Sequence, residues 1–402
     1  MRSRANKPTQ ISLFTGAMGL DLGFEGAFEL RVALDNSPAA IETIKLNRPQ
    51  VPVIHNSILK VTTAEILEKA RLKVGEPTVI TGGSPCQPFS TAGKRLSIEE
   101  ARGNLVFEFL RVVKEAQPEY FVFENVAGLV TAAIKHMSFY ERIKKKNTEL
   151  AKEHQLGSAF EVILTGFKDS GYHIDWGVLN AADFGAAQKR RRLIIIGSKY
   201  DSKISLPSPT HGPPGTAEVL SRKRKPWVTL AEVLQNLVDT KPEYLPFPSW
   251  GKYMAYIPEG GNWHNLPIEL QKEALKGAYD PTGKNNKGGR TGFYRKLRWS
   301  EPAPTLLTSP VYKCSVLAHP SENRPLSVKE YAKIQDFPDD WKFPGMAPTK
   351  YRLIGQAVAI PLSKALRRRI LKSRKSISMN SVLVSAFDNV GISNTNCSTL
   401  PK

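Results

Sequence analysis

Only three cysteines, Cys86, Cys314 and Cys397, occur in 402 residues, and no two of them share a disulfide-framework or metal-ligand spacing. That excludes a disulfide scaffold and a zinc site, so no metal is expected, and it points to a reducing cytoplasm. No stretch reaches the roughly 18 apolar residues of a transmembrane helix, and residues 1–10 carry no apolar signal-peptide core; neither membrane nor export is expected. Acidic side chains are scarce: 37 Asp+Glu stand against 57 Lys+Arg, for a formal net charge of +20. A field of that sign attracts polyanions, nucleic acid first among them, although an ordinary basic soluble protein would share it. The GxGxxG spacing of dinucleotide sites is missing too, which argues against a nicotinamide enzyme.

What is present is concentrated in a few loops. GGSPCQPFS, residues 82 to 90, sets Cys86 in a Gly/Pro frame directly after the apolar run Thr78-Val79-Ile80. The pattern puts a thiol on a loop at a strand end, where prolines restrict the backbone and glycines permit close approach. A lone cysteine in such a turn is most simply a small buried hydrophobe. A second element changes that reading: in PEYFVFENV, residues 118 to 126, the run Tyr120 to Phe123 reads as a buried strand with Glu124 at its end. A carboxylate and a thiol at the carboxyl edge of one sheet make a nucleophile and a proton donor at the place where α/β sheets bind ligands. Between the first strand and a helix, Phe14-Thr15-Gly16-Ala17-Met18-Gly19 offers backbone approach to a nucleotide-like ligand, and Asp35, closing the second strand, is placed to accept from ribose hydroxyls.

The rest of the chain supplies the frame. Strands are expected at Gln10 to Phe14, Leu30 to Leu34, Pro52 to His55, Thr78 to Thr81 and Tyr120 to Phe123, with helices at Ala39 to Asn47 and Asn104 to Ala116. The alternation is that of βαβ units. A hairpin-like pair follows at Tyr172 to Leu179 and Arg192 to Gly197. Past Ser198 the periodicity disappears until about residue 323, where helices at Ser327 to Gln335 and from Ala357 into Arg369 restore it. We therefore expect a first part at 1–199, an inserted domain at 200–323, a return to the first domain at 324–370, and a Ser/Asn-rich disordered tail at 371–402.

GGSPCQPFS followed by FENV resembles the DNA cytosine-5 methyltransferase family of bacterial restriction-modification type. ISLFTGAMGLDLGFEGAF (11 to 28), EARGNLVFEFLRVV (100 to 113), QKRRR (188 to 192), RPLSVKEYAKIQDFPDDWKF (324 to 343) and YRLIGQAVAIPLSKAL (351 to 366) resemble further motifs of that family in the same order. The resemblance implies an α/β fold: a Rossmann-like, S-adenosylmethionine-dependent methyltransferase core with a smaller inserted target-recognition domain. It implies methyl transfer from S-adenosylmethionine to C5 of a cytosine in a specific double-stranded DNA sequence, by addition of Cys86 to C6 of a flipped-out base, protecting host DNA from a cognate restriction enzyme. Glu124 would serve the ring N3 side, with Arg190 and Arg192 lining the catalytic site. The cofactor would lie against Phe14, Gly16, Gly19, Asp35, Ser57, Ile58, Leu105, Gln356 and Val358. DNA would meet Gln87, Ser90, Lys94, Arg95, Gln188, Arg222, Arg224 and Arg290, the last three in the insert, and the protein would act as a monomer. Three positions depart from the family pattern: Met18 stands for a glycine, Ser57 for an aspartate and Gln356 for an asparagine. Two alternatives stay open, methylation of tRNA cytosine and a non-catalytic DNA-binding regulator.

Overall fold

The computed structural model describes residues 7–85, 104–135, 150–200, 204–275 and 292–389. Its first part is a βα alternation: β1 (Thr9–Leu13), α1 (Gly19–Phe24), β2 (Glu29–Asp35), α2 (Pro38–Asn47), β3 (Val53–His55), α3 (Thr63–Ala70), β4 (Val79–Gly82), α4 (Asn104–Ala116) and β5 (Tyr120–Val126). Local signals start the helices. Ser37 caps α2 ahead of Pro38, and Thr62 with Glu65 forms a reciprocal capping box on α3. After α5 (Ser158–Lys168) come β6 (His173–Asn180), the two-residue β7 (Gln188–Lys189) and β8 (Arg191–Ser198).

Seven strands form one sheet in the order β3-β2-β1-β4-β5-β8-β6. The first five run parallel, and the expected hairpin closes the sheet, with β8 antiparallel to β5 and β6 antiparallel to β8. Both faces are covered, so the strands read as continuous apolar runs rather than alternating ones. On one face Phe109 of α4 and Phe167 of α5 pack on Phe121 and Phe123, with the Phe109 and Phe123 ring centroids 5.1 Å apart. On the other, α1 meets a long C-terminal helix across Val79, Val122, Ile194 and Ile196.

That C-terminal part consists of α6 (Val328–Ile334), α7 (Ala347–Gln356) and α8 (Ile360–Asn389). The expected helix from Ala357 and the expected tail from 371 are both corrected. Residues 357–359 separate two helices, and α8 continues through 371–389, with Ser373 buried beside Tyr120 and Arg374 on Glu119. Serine and asparagine content suggested disorder, but a stripe buried on the sheet, Ser373 included, is enough to hold a helix.

The segment 204–323 has little regular structure, as its composition suggested. A small core of its own gathers Tyr253, Met254, Ile257, Trp263, Tyr294 and Val316. Its flanks behave differently: Leu230, Leu234, Leu297, Leu306 and Leu317 pack in one cluster with Ile41 and Ile44 of α2 and with Tyr331 and Tyr351 of the C-terminal helices.

Candidate functional site

Glu124 lies within β5 rather than just after it, because the strand continues to Val126, opposite Arg192 of β8. Alternation along the strand puts its side chain on the same face as Val122. The Arg192 Nε stands 2.8 Å from its carboxylate, both side chains being 12% exposed. Burial pushes the Glu124 carboxyl above its ordinary pKa, while the charges of Arg192 and Arg190 and the hydrogen bond from Arg192 pull it back. Burial thus favours the protonated carboxyl, and the two arginines favour the ionised one.

The loop leaving β4 is fastened to this carboxylate. A Cβ at Gly83 would stand 2.7 Å from Glu124 Oε2 and 2.8 Å from its carbonyl oxygen, so only glycine lets the chain pass. The Asn125 side chain, buried, donates to the carbonyl and hydroxyl oxygens of Ser84 at 3.3 and 3.2 Å. The chain that leads to Cys86 thus departs from beside Glu124. Asn125's hold on Ser84 was not anticipated from the sequence. Cys86 itself, with Gln87, Ser90, Lys94 and Arg95, lies outside the described residues.

The two arginines expected to line the catalytic site separate. Arg192 reaches Glu124, whereas Arg190, between β7 and β8, is buried and donates to the Leu306 carbonyl at 2.9 Å and the Gly355 carbonyl at 2.7 Å. Gln188, expected on DNA, is fully buried and is corrected to an internal link. It donates to the Gln335 Oε1 at 2.6 Å and accepts from the Leu306 amide, and Gln335 in turn donates to the carbonyls of Ile354 and Ala357. Gln335 was missed in the sequence, where it is one polar residue at the end of a helix. Nothing local marks a side chain whose partners are 147 and 19 positions away.

The cofactor expectations gather at the carboxyl ends of β1 and β2. Phe14 and Gly16 both adopt left-handed backbone, with φ 54° and 55°, and turn the chain over the sheet edge. Asp35 accepts from the Gly16 amide at 2.8 Å through one carboxylate oxygen and from the Ser37 amide at 2.8 Å through the other. Burial raises its carboxyl above the ordinary range, and these amides oppose the rise. Each oxygen keeps a second lone pair, and among the described residues a Cβ on Gly16 would meet only the Phe14 carbonyl at 4.0 Å, so none of them fills the space above this turn. Phe14, Ile58 and Leu105 line the same apolar cluster beneath it. An open turn, a carboxylate acceptor and an apolar floor fit a nucleoside-bearing cofactor.

The remaining members of the set have local roles as well. A Cβ on Gly19 would fall 2.4 Å from the Val358 carbonyl, so this glycine serves the close packing of α1 on the 357–359 link. Ser57 caps the short turn Ile58–Lys60 through the Leu59 amide, and Gln356 is exposed. Met18, standing where a glycine is usual, has φ 67° and is 3% exposed. The left-handed backbone explains the glycine of the pattern, and burial of the Met18 side chain offsets its strain.

Arg222 and Lys223 are exposed and Arg224 is half-buried, on a turn of the insert where Arg222 takes φ 57°. Exposure of Arg222 and Lys223 is what phosphate contact requires. Arg290 lies outside the described residues. Among the described residues no cluster of His, Cys, Asp or Glu could hold a metal, and no helix is long and apolar enough to cross a membrane.

A family model described as C-5 cytosine-specific DNA methylase matches residues 9–372. The Type II methyltransferase M.PspPI of Psychrobacter sp. (strain TA137) is 36% identical over 368 residues, covering 90% of this chain and 78% of the relative. M.Sau96I of Staphylococcus aureus is 33% identical over 381 residues, covering 92% and 77%. Among solved structures, S. pombe Dnmt2 methyltransferase superposes with a TM-score of 0.55 at 14% identity, over 91% of this chain and 99% of that one. Entamoeba histolytica methyltransferase EhMeth gives 0.54 at 15%, over 91% and 98%. At those identities the structural likeness speaks for the fold.

Proposed function

Since this chain belongs to the C-5 cytosine-specific DNA methylase family and is a DNA cytosine-5 methyltransferase, we propose how its residues divide the work. S-adenosylmethionine, held by Phe14, Gly16, Asp35, Ser57, Ile58 and Leu105, supplies an electrophilic methyl group when bound. Cytosine C5 is a weak nucleophile in the aromatic ring. Cys86, as thiolate, adds to C6, and the electron pair moves through the ring toward N3. Glu124 shares a proton with N3 as that charge develops, with Arg192 fixing the carboxyl in place. After C5 has gained the methyl group it gives up its proton, the Cys86 sulfur leaves C6, and 5-methylcytosine is released. The target nucleotide must leave the duplex stack for these groups to reach it.

One observation carries this reading. The loop that leads to Cys86 leaves the sheet against Glu124, with Gly83 and Asn125 enforcing the contact. We further propose that residues 200–323 read the DNA sequence, with Arg222, Arg224 and Arg290 on DNA, that Gln87, Ser90, Lys94 and Arg95 close on it, and that the methylated site is shielded from a cognate restriction enzyme. The test is methylation-resolved sequencing of DNA from cells expressing the native chain or its Cys86→Ala variant. Site-specific 5-methylcytosine with the first and none with the second is expected; equal methylation by both would overturn the role of Cys86. Duplex DNA containing 5-fluorocytosine at that site should trap the native chain covalently, while tRNA offered in parallel should accept no methyl groups.

A further inference from the structure

Helix α8 carries seven cations between Lys364 and Lys375, and its single acidic residue is Asp388. Four of the seven are engaged within the protein. Lys364 pairs with Asp336, Arg367 donates to the Glu25 carbonyl, Arg369 to the Ser205 carbonyl, and Arg374 forms a double hydrogen bond with Glu119. The other three, Arg368, Lys372 and Lys375, are exposed, and among the described residues none is paired with a carboxylate. Their spacing of four and three places them on one face. A solvated helix ordinarily intersperses acids at those intervals; this face has none.

The stripe also has a definite place. α8 starts beside Val358, at the cofactor turn, and descends to Glu119 and Tyr120, which lie at the amino end of β5. Glu124 is at the other end of that strand, about 13 Å away by strand rise. Arg368 to Lys375 spans about 10 Å of helix. Duplex DNA presents one charge per about 1.7 Å of axis, so a stripe of that length faces several phosphates at once.

We propose that the exposed face of α8 is a second, sequence-independent contact for duplex DNA, holding phosphates of a DNA segment other than the one whose base enters the catalytic site. The identity of the partner rests on the DNA-methyltransferase reading; the existence of the surface rests on α8 alone. Such a contact keeps the enzyme on long DNA while the catalytic cleft samples successive sites, and it leaves chemistry on a short duplex unaffected.

The test uses the full-length chain and its Arg368→Gln/Lys372→Gln/Lys375→Gln variant. A Lys45→Gln/Lys69→Gln/Lys73→Gln variant, which removes the same charge from exposed positions elsewhere, is the control. Binding of a mixed-sequence 30-bp duplex is measured against salt concentration. The α8 variant should bind at least fivefold more weakly at low salt and lose about 0.9 from the slope of log K for each phosphate contact removed, up to about 2.7. The control should keep the native slope. An unchanged slope in the α8 variant, or equal losses in both variants, would overturn the proposal. So would α8-dependent sedimentation with phosphatidylglycerol vesicles without any change in duplex binding, which would assign the face to membrane lipid. Methyl incorporation into genomic DNA is measured alongside. Incorporation with an unchanged slope sinks the second contact alone, whereas no incorporation by the native chain with an α8-dependent slope sinks the enzymatic reading and leaves the surface standing.

Discussion

Glu124 is held between opposing influences, burial raising its proton affinity and Arg192 lowering it. Glu124→Gln keeps the size and the contact with Gly83 but cannot share a proton. Single-turnover methyl transfer should fall by about 10²-fold or more, the usual worth of a positioned acid, with duplex affinity within about twofold. A drop of under threefold, roughly 0.65 kcal/mol in barrier, would pass the role to another group. A second buried carboxyl makes a prediction of the opposite kind, about stability. Asp21 on α1 accepts from Gln10 at 2.8 Å and lies 3.4 Å from the Thr81 hydroxyl. Burial pushes its pKa from an ordinary 3.8 to about 6, against the hydrogen bonds from Ser12 and Thr81. A folded-state value above the unfolded one means that the stabilisation is complete below about pH 4 and is lost as pH rises through about 6. That difference corresponds to on the order of 3 kcal/mol. Asp21→Asn should therefore gain on the native chain as pH goes from 4 to 7, read by urea unfolding at both pH values; a constant difference would show that Asp21 titrates normally.

Among the elements, what could be read in advance was whatever local periodicity encodes. Four of the five parallel strands fell within one residue of their expected ends, α4 matched at both ends, and the β6/β8 hairpin was visible. The helices α3 and α5 were not singled out, and α1 was expected after the glycine-bearing turn without bounds. β5 was cut short at Phe123 because a charged residue looked like a strand end; pairing with Ile194 carries the strand through Glu124. Contacts between distant segments were illegible for a plainer reason. Arg192 meets Glu124, and Arg190 meets Leu306 and Gly355, only because the sheet and the returning helices bring them together. That junction is where an element-level change should be felt most. Gln335→Ala strands the Gln188 amide and the Ala357 carbonyl in a buried place and leaves the Ile354 carbonyl only the Ala357 amide, so a loss of about 2–4 kcal/mol is expected in denaturant unfolding. Cofactor affinity should fall with it, because the 354–358 link backs Gly19. Full stability in that variant would mean that water or a neighbour replaces the amide without cost.

At the scale of the whole molecule, the insert is divided between two cores, and this changes how target reading can be moved. Exchange of residues 205–320 for those of a relative would replace Leu230, Leu234, Leu306 and Leu317, which belong to the cluster shared with α2 and the C-terminal helices. Exchange of residues 238–296 alone leaves those leucines in place while replacing most of the insert's own core. The shorter hybrid should be soluble and methylate at the relative's site, and the longer one should unfold at lower denaturant; methylation sequencing and urea titration read the two outcomes. A soluble short hybrid that keeps the original site would put sequence reading in the flanks or in the first 199 residues. The buried junction of Gln188 and Arg190 with residues 306, 335 and 355 has a consequence for biosynthesis as well. Every residue proposed to act on the base has been translated once Arg192 leaves the ribosome, yet the groups that seat Gln188 and Arg190 are made more than a hundred codons later. The nascent chain would remain inactive until its last quarter has emerged, so in a newly colonised cell methylation would lag behind the start of synthesis by the time needed to finish the polypeptide.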